Sequence, residues 1–167
     1  MNKTILSIND IQFIITNCPQ NKNLEFYKNL LINEKVNLLI RIIDEVYPID
    51  IEGLTVVDFP EYKDGTFPNK DIIQKYKKTM FDIKQKYKNP IIAIHCRSSL
   101  GRTACFIALE IYWCKIYNNN YDIINYIRKY RPGSFNKVQL NWFFDYKESK
   151  TSISQWKKFI NYLQVLF

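Results

Sequence analysis

A single histidine serves all 167 residues, and the four cysteines, Cys18, Cys96, Cys105 and Cys114, never fall at C-x-x-C spacing. Structural zinc needs Cys and His clustered at short spacing, so no metal site is expected, and nothing in the sequence calls for a cofactor. No run of 18 apolar residues occurs, which excludes a membrane-spanning helix. The first ten residues lack the uninterrupted apolar core of a secretory signal. Reduced cysteines in an intracellular, cytoplasmic setting are therefore expected rather than a disulfide framework. The last four residues, Gln164-Val165-Leu166-Phe167, offer no Cys for prenylation. Internal repeats and low-complexity linkers are lacking too, so the expectation is one domain spanning residues 1–167.

What is present suits a packed globular protein: 47% hydrophobic and 16% aromatic residues. Lys and Arg number 24 against 16 Asp and Glu, a formal net charge of +8. A basic surface steers anionic partners such as phosphoproteins, nucleic acids or acidic lipid headgroups. The excess of Lys, Asn and Ile throughout is equally what an AT-rich coding sequence produces without selection for binding.

Hydrophobic patterning alternates strands and helices. Residues 5–8 and 11–16 flank Asn9-Asp10 as a two-residue hairpin. Residues 24–34 carry Leu24, Tyr27, Leu30 and Leu31 at helical spacing. The run 36–43 suits a strand buried on both faces, and 54–57 a second short strand. A loop over 58–68 holds three carboxylates, Asp58, Glu61 and Asp64. A helix capped by Asn69 or Asp71 runs to about Tyr87 with Ile72, Ile73, Tyr76, Met80 and Ile83 inward. After the strand 91–95, helices are expected over 103–117, 121–130, 136–147 and 152–166. This order predicts an α/β fold with a central, mostly parallel sheet flanked by helices and a helical end. Ligands in such folds sit at the carboxyl ends of the strands, where Cys96 falls.

The stretch Ile94-His95-Cys96-Arg97-Ser98-Ser99-Leu100-Gly101-Arg102-Thr103 reads as strand, small-residue loop and helix start. Amides of Arg97, Ser98, Ser99, Leu100 and Gly101, together with a helix N-terminus, would cradle a phosphate-like anion. The same positive setting favours thiolate over thiol, so the loop supplies a nucleophile as well. Arg102 brings the planar fork that suits phosphate oxygens, and three equatorial oxygens share the charge in phosphoryl transfer. A papain-like pair with His95 is disfavoured, because adjacent strand residues point to opposite faces. His95 is expected behind the loop, fixing it or tuning the thiolate. Thr103 either caps the helix or assists the departing thiolate. Cys105 and Cys114, within the following apolar helix, are read as core.

His95-Cys96-x5-Arg102-Thr103 resembles the signature of the protein tyrosine phosphatase superfamily. Residues 39–47, the segment Asp64-Gly65-Thr66-x-Pro68, and Ile127-Arg128-x-x-Arg131-x-Gly133-x-Phe135-Asn136-x-x-Gln139-Leu140 are similar to the phosphatase-of-regenerating-liver family, a dual-specificity-type branch. With residues 13–16, the likeness covers roughly 5–147. It implies the cysteine-phosphatase fold as a single domain, with Cys96 as nucleophile, Arg102 as phosphate binder and Asp64 as general acid. Asp58 and Glu61 are rivals on the same loop. Gln139 would orient the hydrolytic water or simply cap a helix, and Arg131 would add charge near the pocket or anchor a carboxylate.

Four departures from that family carry expectations. Thr103 stands where its members carry Ala, so phosphate release from Cys96 should be faster. Ile43 replaces a cysteine able to trap the nucleophile, so that redox switch should be absent. The prenylation box is missing. Ser99 replaces the superfamily's usual Gly, and its Cβ perturbs the loop if φ must be positive there.

The expected activity is metal-independent hydrolysis of phosphotyrosine, with phosphoserine and phosphothreonine in reach, on phosphorylated protein substrates. Arg97 and the basic surface leave acidic lipid or RNA open as partners, through phosphoinositide or RNA 5′-triphosphate hydrolysis. A weakly active phosphate-binding module is the alternative from another class, and a sulfurtransferase is a distant third. The segment 153–167 puts Ile153, Trp156, Phe159, Ile160 and Leu163 on one helical face, for packing, a dimer contact or a membrane surface.

Overall fold

The computed structural model describes residues 3–147. The helix expected over 152–166, with its dimer or membrane contact, lies outside the described residues.

Strands β1 (Lys3–Ile8) and β2 (Ile11–Thr16) form the expected hairpin, Ile8 opposite Ile11. Asn9 adopts φ 51° at the turn, a left-handed conformation that Asn tolerates better than most residues. Helix α1 (Leu24–Asn33) follows, then β3 (Leu38–Arg41), β4 (Thr55–Asp58), α2 (Lys70–Lys86) and β5 (Ile91–His95). Three helices complete the described chain: α3 (Arg102–Trp113), α4 (Asn120–Tyr130) and α5 (Lys137–Phe144). The sheet order is β1-β2-β5-β3-β4, antiparallel only at the β1–β2 hairpin.

Three elements are shorter than the sequence suggested, β3, α3 and α5, the last ending at Phe144 rather than at 147. Lys35, at φ 53°, reverses the chain after α1 and delays β3. Ile42 still donates its N–H to His95 O at 2.9 Å, but β5 ends there, and Ile43 is buried outside the strand. Helix α3 stops at Trp113 because Lys115 turns left-handed at φ 53°, and Ile116 N–H returns to Ile111 O, a Schellman-type ending.

Alternation along the strands separates two cores. Ile14, Leu39 and Ala93 face Tyr27 and Leu31 of α1. Phe13, Ile15, Leu38, Ile40, Ile92 and Ile94 join the larger core with α2, α3, α4 and α5. Because β2, β5, β3 and β4 are parallel, Thr16, His95, Arg41 and Asp58 end at one edge, and four loops converge there. Helix α3 starts at that edge and is buried from Arg102 to Ile111, so its N-terminus is fixed by packing. Among the described residues no helix is long and apolar enough to cross a membrane, and no His/Cys/Asp/Glu group could hold a metal ion.

Candidate active site

The loop between β5 and α3 has its carbonyls tied from outside. His95 Nδ1 donates to Cys96 O at 3.2 Å, and Cys18 N–H donates to Arg97 O at 3.1 Å. The Arg131 guanidinium reaches Ser98 O through Nη2 at 3.0 Å and Ser99 O through Nε at 3.1 Å. Phe135 N–H takes Leu100 O at 2.7 Å, and Cys105 N–H takes Gly101 O at 3.1 Å. In a trans peptide the C=O and the next N–H point opposite ways. Six carbonyls drawn outward therefore turn the amides of residues 97–102 toward one another, and Ser99 N–H indeed points at Cys96 Sγ, 3.2 Å away. The α3 N-terminus adds its own amides to this concavity.

Ser99 answers the question its Cβ raised. It does sit at φ 60°, and it is fully buried. Its hydroxyl donates to Thr16 O and accepts from Cys96 N–H at 3.0 Å, and Thr103 Oγ1 lies 3.4 Å from it. The strain of a non-glycine residue there is offset by bonds that only a hydroxyl can make. At Gly101, by contrast, a Cβ would meet the Gln139 amide at 3.0 and 3.1 Å, so that side chain would have to give way.

Arg102 is 3% exposed on the first turn of α3. Its Nη1 donates to Tyr62 O at 3.3 Å, and Asp64 Oδ1 stands 3.2 Å from Nε. That second contact is an ion pair by distance only: its angle is too poor for a hydrogen bond, and among the described residues Nε has no hydrogen-bond partner. A buried guanidinium N–H without a partner is costly, and it belongs where an incoming oxygen completes it.

Asp64 reaches this point on a loop whose base is rigid and whose tip is open. Phe59 and Tyr62 are fully buried against Phe106 of α3, at ring separations of 5.0 and 5.5 Å, and Tyr76 of α2 stacks on Phe106 at 4.2 Å. Asp64 itself is 69% exposed. Asn136 Nδ2 donates to Gly65 O at 2.9 Å and Gln139 Nε2 to Thr66 O at 2.8 Å, tying the far side of the tip to α5. The rival carboxylates are occupied. Asp58 is gripped bidentately by Arg41, Nε to Oδ1 at 2.6 Å and Nη2 to Oδ2 at 2.8 Å, and Glu61 pairs with Lys75 at 2.8 Å.

His95 is fully buried on the opposite side of the strand end from the thiol. A carbonyl only accepts, so the Nδ1 next to Cys96 O carries the proton. Nε2 then accepts from Tyr47 O–H at 2.7 Å, and the Tyr47 ring stacks on the imidazole at 5.7 Å. Burial, with Arg41 adding to it, pushes the imidazole down to about 4, so it is neutral near pH 7. Burial likewise pushes the Cys105 thiol up to about 12 and the Cys114 thiol up to about 11.

Arg131, expected to serve substrate binding by adding charge near the pocket or else to anchor a carboxylate, turns its fork to backbone carbonyls. It is buried, and besides the two loop carbonyls it donates to Thr4 Oγ1 at 3.0 Å and Asn17 Oδ1 at 3.4 Å. Its fork is spent on the back of the loop. Gln139 both caps α5, accepting from Asn136 N–H at 3.0 Å, and lines the loop at Gly101. Arg97 and Ser98 are exposed at the mouth, and Leu100 is partly so. Arg41, Tyr47 and Asn136 have no site role in the sequence reading, and Asp58 figures there only as a rival acid. The strand register, which sets Arg41 against both His95 and Asp58, reveals that pair.

A family model described as protein-tyrosine phosphatase matches residues 47–145. The probable protein tyrosine phosphatase type IVA A of Dictyostelium discoideum is 31% identical over 144 residues, which cover 84% of this chain and 85% of that one. Mouse protein tyrosine phosphatase type IVA 2 is 29% identical over 145 residues, 85% of each. Among solved structures, a putative protein tyrosine phosphatase from Leishmania major superposes with a TM-score of 0.75 at 27% identity, covering 89% of this chain and all of that one.

Proposed function

The chain belongs to the protein-tyrosine phosphatase family, and we propose that it hydrolyses phosphotyrosine in proteins, with phosphoserine and phosphothreonine as further substrates, through a cysteinyl-phosphate on Cys96. The observation that carries this is the inward turn of the loop amides around Cys96 Sγ, closed by a buried Arg102 whose Nε has no hydrogen-bond partner among the described residues. In the first step the Cys96 thiolate bonds to phosphorus, the P–O bond to the tyrosyl oxygen breaks, and Asp64 delivers the proton that this oxygen needs. In the second, Asp64 takes a proton from water as the water oxygen bonds to phosphorus. The P–S bond then breaks with its electron pair returning to Cys96. Loop amides and Arg102 hold the three equatorial oxygens throughout, stabilising charge where it accumulates. Positioned proton transfer contributes about 10²–10⁴-fold, which is the share assigned to Asp64.

The remaining site residues serve this centre from behind. Arg131 and His95 hold the loop's carbonyls, and Gln139 ties Gly101 to the Asp64 loop. The whole of residues 1–167 is read as one phosphatase domain working in the cytoplasm. Exposed Arg97 beside the mouth favours a second substrate reading, a phosphoinositide or an RNA 5′-triphosphate. Release of phosphate from a phosphopeptide, an inositol lipid and a triphosphate RNA, measured side by side, separates the two. The reaction class is tested with a generic aryl phosphate: turnover should persist in chelator and vanish in Cys96→Ser. Retained activity in Cys96→Ser, or its loss on chelation, overturns the mechanism. Vanadate binding without any turnover would make the chain a phosphate-binding module instead.

A further inference from the structure

We infer that Ser99 is a positioning residue that holds the Thr103 hydroxyl off the Cys96 sulfur and so prolongs the life of the cysteinyl-phosphate. The inference rests on the proposed function above and concerns its second step.

Proton accounting fixes the arrangement. Thr16 O can only accept, so the single Ser99 hydroxyl proton goes there. Cys96 N–H can only donate, and it fills one lone pair of Ser99 Oγ at 3.0 Å. The other lone pair faces Thr103 Oγ1 at 3.4 Å, so the Thr103 hydroxyl is the donor in that contact. Thr103 has one hydroxyl proton, and it is directed at Ser99 rather than at sulfur. The donor on Cys96 Sγ is the Ser99 backbone N–H, at 3.2 Å. Both side chains are fully buried, so no bulk water substitutes for the diverted hydroxyl. The sequence pairs these two residues in the same way: a hydroxyl follows Arg102, and a second one stands in the middle of the loop to take it up.

The consequence falls on one step. When the P–S bond of the intermediate breaks, negative charge returns to Cys96 Sγ, and each donor aimed at sulfur lowers that barrier. When the intermediate forms, charge leaves the sulfur and such a donor gives no help. Removing the Ser99 hydroxyl frees the Thr103 proton for the sulfur while leaving the Ser99 amide in place, provided that the backbone keeps φ near 60°. Glycine does so without strain.

The test is a two-by-two set of wild type, Ser99→Gly, Thr103→Val and the double variant, assayed on an aryl phosphate by rapid quench. Formation of the cysteinyl-phosphate and its breakdown are read as separate rate constants. Ser99→Gly should speed breakdown about fivefold to tenfold and shrink the burst, moving breakdown more than kcat/KM, which reports formation. Thr103→Val should erase that gain in the Ser99→Gly background, a non-additivity expected of coupled neighbours. Breakdown that is unchanged or slower in Ser99→Gly overturns the inference. So does an equal cost of Thr103→Val in both backgrounds. Absence of turnover in wild type, or its survival in Cys96→Ser, would instead sink the phosphatase mechanism itself.

Discussion

Replacing Arg131 by Ala separates a residue that holds the loop from one that holds the substrate. The guanidinium makes bonds of 3.0 to 3.1 Å to Ser98 O, Ser99 O and Thr4 Oγ1. Hydrogen bonds to charged groups contribute about 1.5–3 kcal/mol each, but they are not additive, and the carbonyl of exposed Ser98 regains water when the side chain goes. The Ser99 carbonyl is buried and regains nothing, so a net loss of about 3 kcal/mol is reasonable. For a domain of this size that corresponds to a melting temperature lower by roughly 6–12 °C. The freed carbonyls also let the amides on the other side of each peptide swing, and misplacement by about 1 Å costs about 10²-fold in rate. Arg131→Lys should fall between, because an ammonium cannot span two carbonyls as the fork does. Thermal melting and the inhibition constant of vanadate are measured together. A variant that melts like wild type but binds vanadate poorly would refute the anchoring role and return Arg131 to the substrate.

Asp64→Asn should lower kcat on an aryl phosphate by about 10²-fold or more with little change in melting temperature, whereas Asp58→Asn should act the other way. Removing the Asp58 charge strands buried Arg41, a loss of about 3 kcal/mol seen as a lower urea midpoint. If Asp58→Asn alone abolished turnover in a stably folded protein, the assignment of the acid would be wrong. For His95, the folded protein resists protonation down to about 4 while the unfolded chain takes the proton near 6.5. Between those values the unfolded state binds more protons, so stability falls as pH falls, by about 2 kcal/mol at pH 5 and about 3 kcal/mol at pH 4 relative to pH 7. Urea midpoints across that range should show the slope in wild type and not in His95→Gln; an equal slope in both would assign it to other groups.

The loop chemistry was legible in the sequence because it is local. Cys96, the five small steps to Arg102 and the helix start are contiguous, and the apolar run before them places them at a strand end. The strands and helices were legible from periodicity, and a left-handed residue, Lys35 or Lys115, cut two of the runs short. Neither lysine announces such a turn, since Gly or Asn is the usual residue there. What pattern could not reveal is non-local pairing. Arg41 and Asp58 are 17 positions apart, and only the β3–β4 register makes them a buried bidentate pair. That pairing engages Asp58 and leaves Asp64 the more open of the two carboxylates, which supports the proposed acid.

The places of Arg131 and Ser99 lay beyond the sequence for a common reason. Charge and side-chain size can be read from a sequence, but the direction in which a loop's carbonyls point cannot. Once Cys18, His95, Arg131 and Phe135 are seen drawing those carbonyls outward, a buried arginine near a phosphate cradle becomes part of its backing rather than its lining. A serine at positive φ becomes affordable because its hydroxyl ties β2 to β5 through Thr16 O and Cys96 N–H. The cradle is thus held from its outer surface by the side chains of His95 and Arg131 and by the backbone N–H groups of Cys18 and Phe135. Substitutions of His95 and Arg131 should therefore alter phosphate binding without ever touching phosphate.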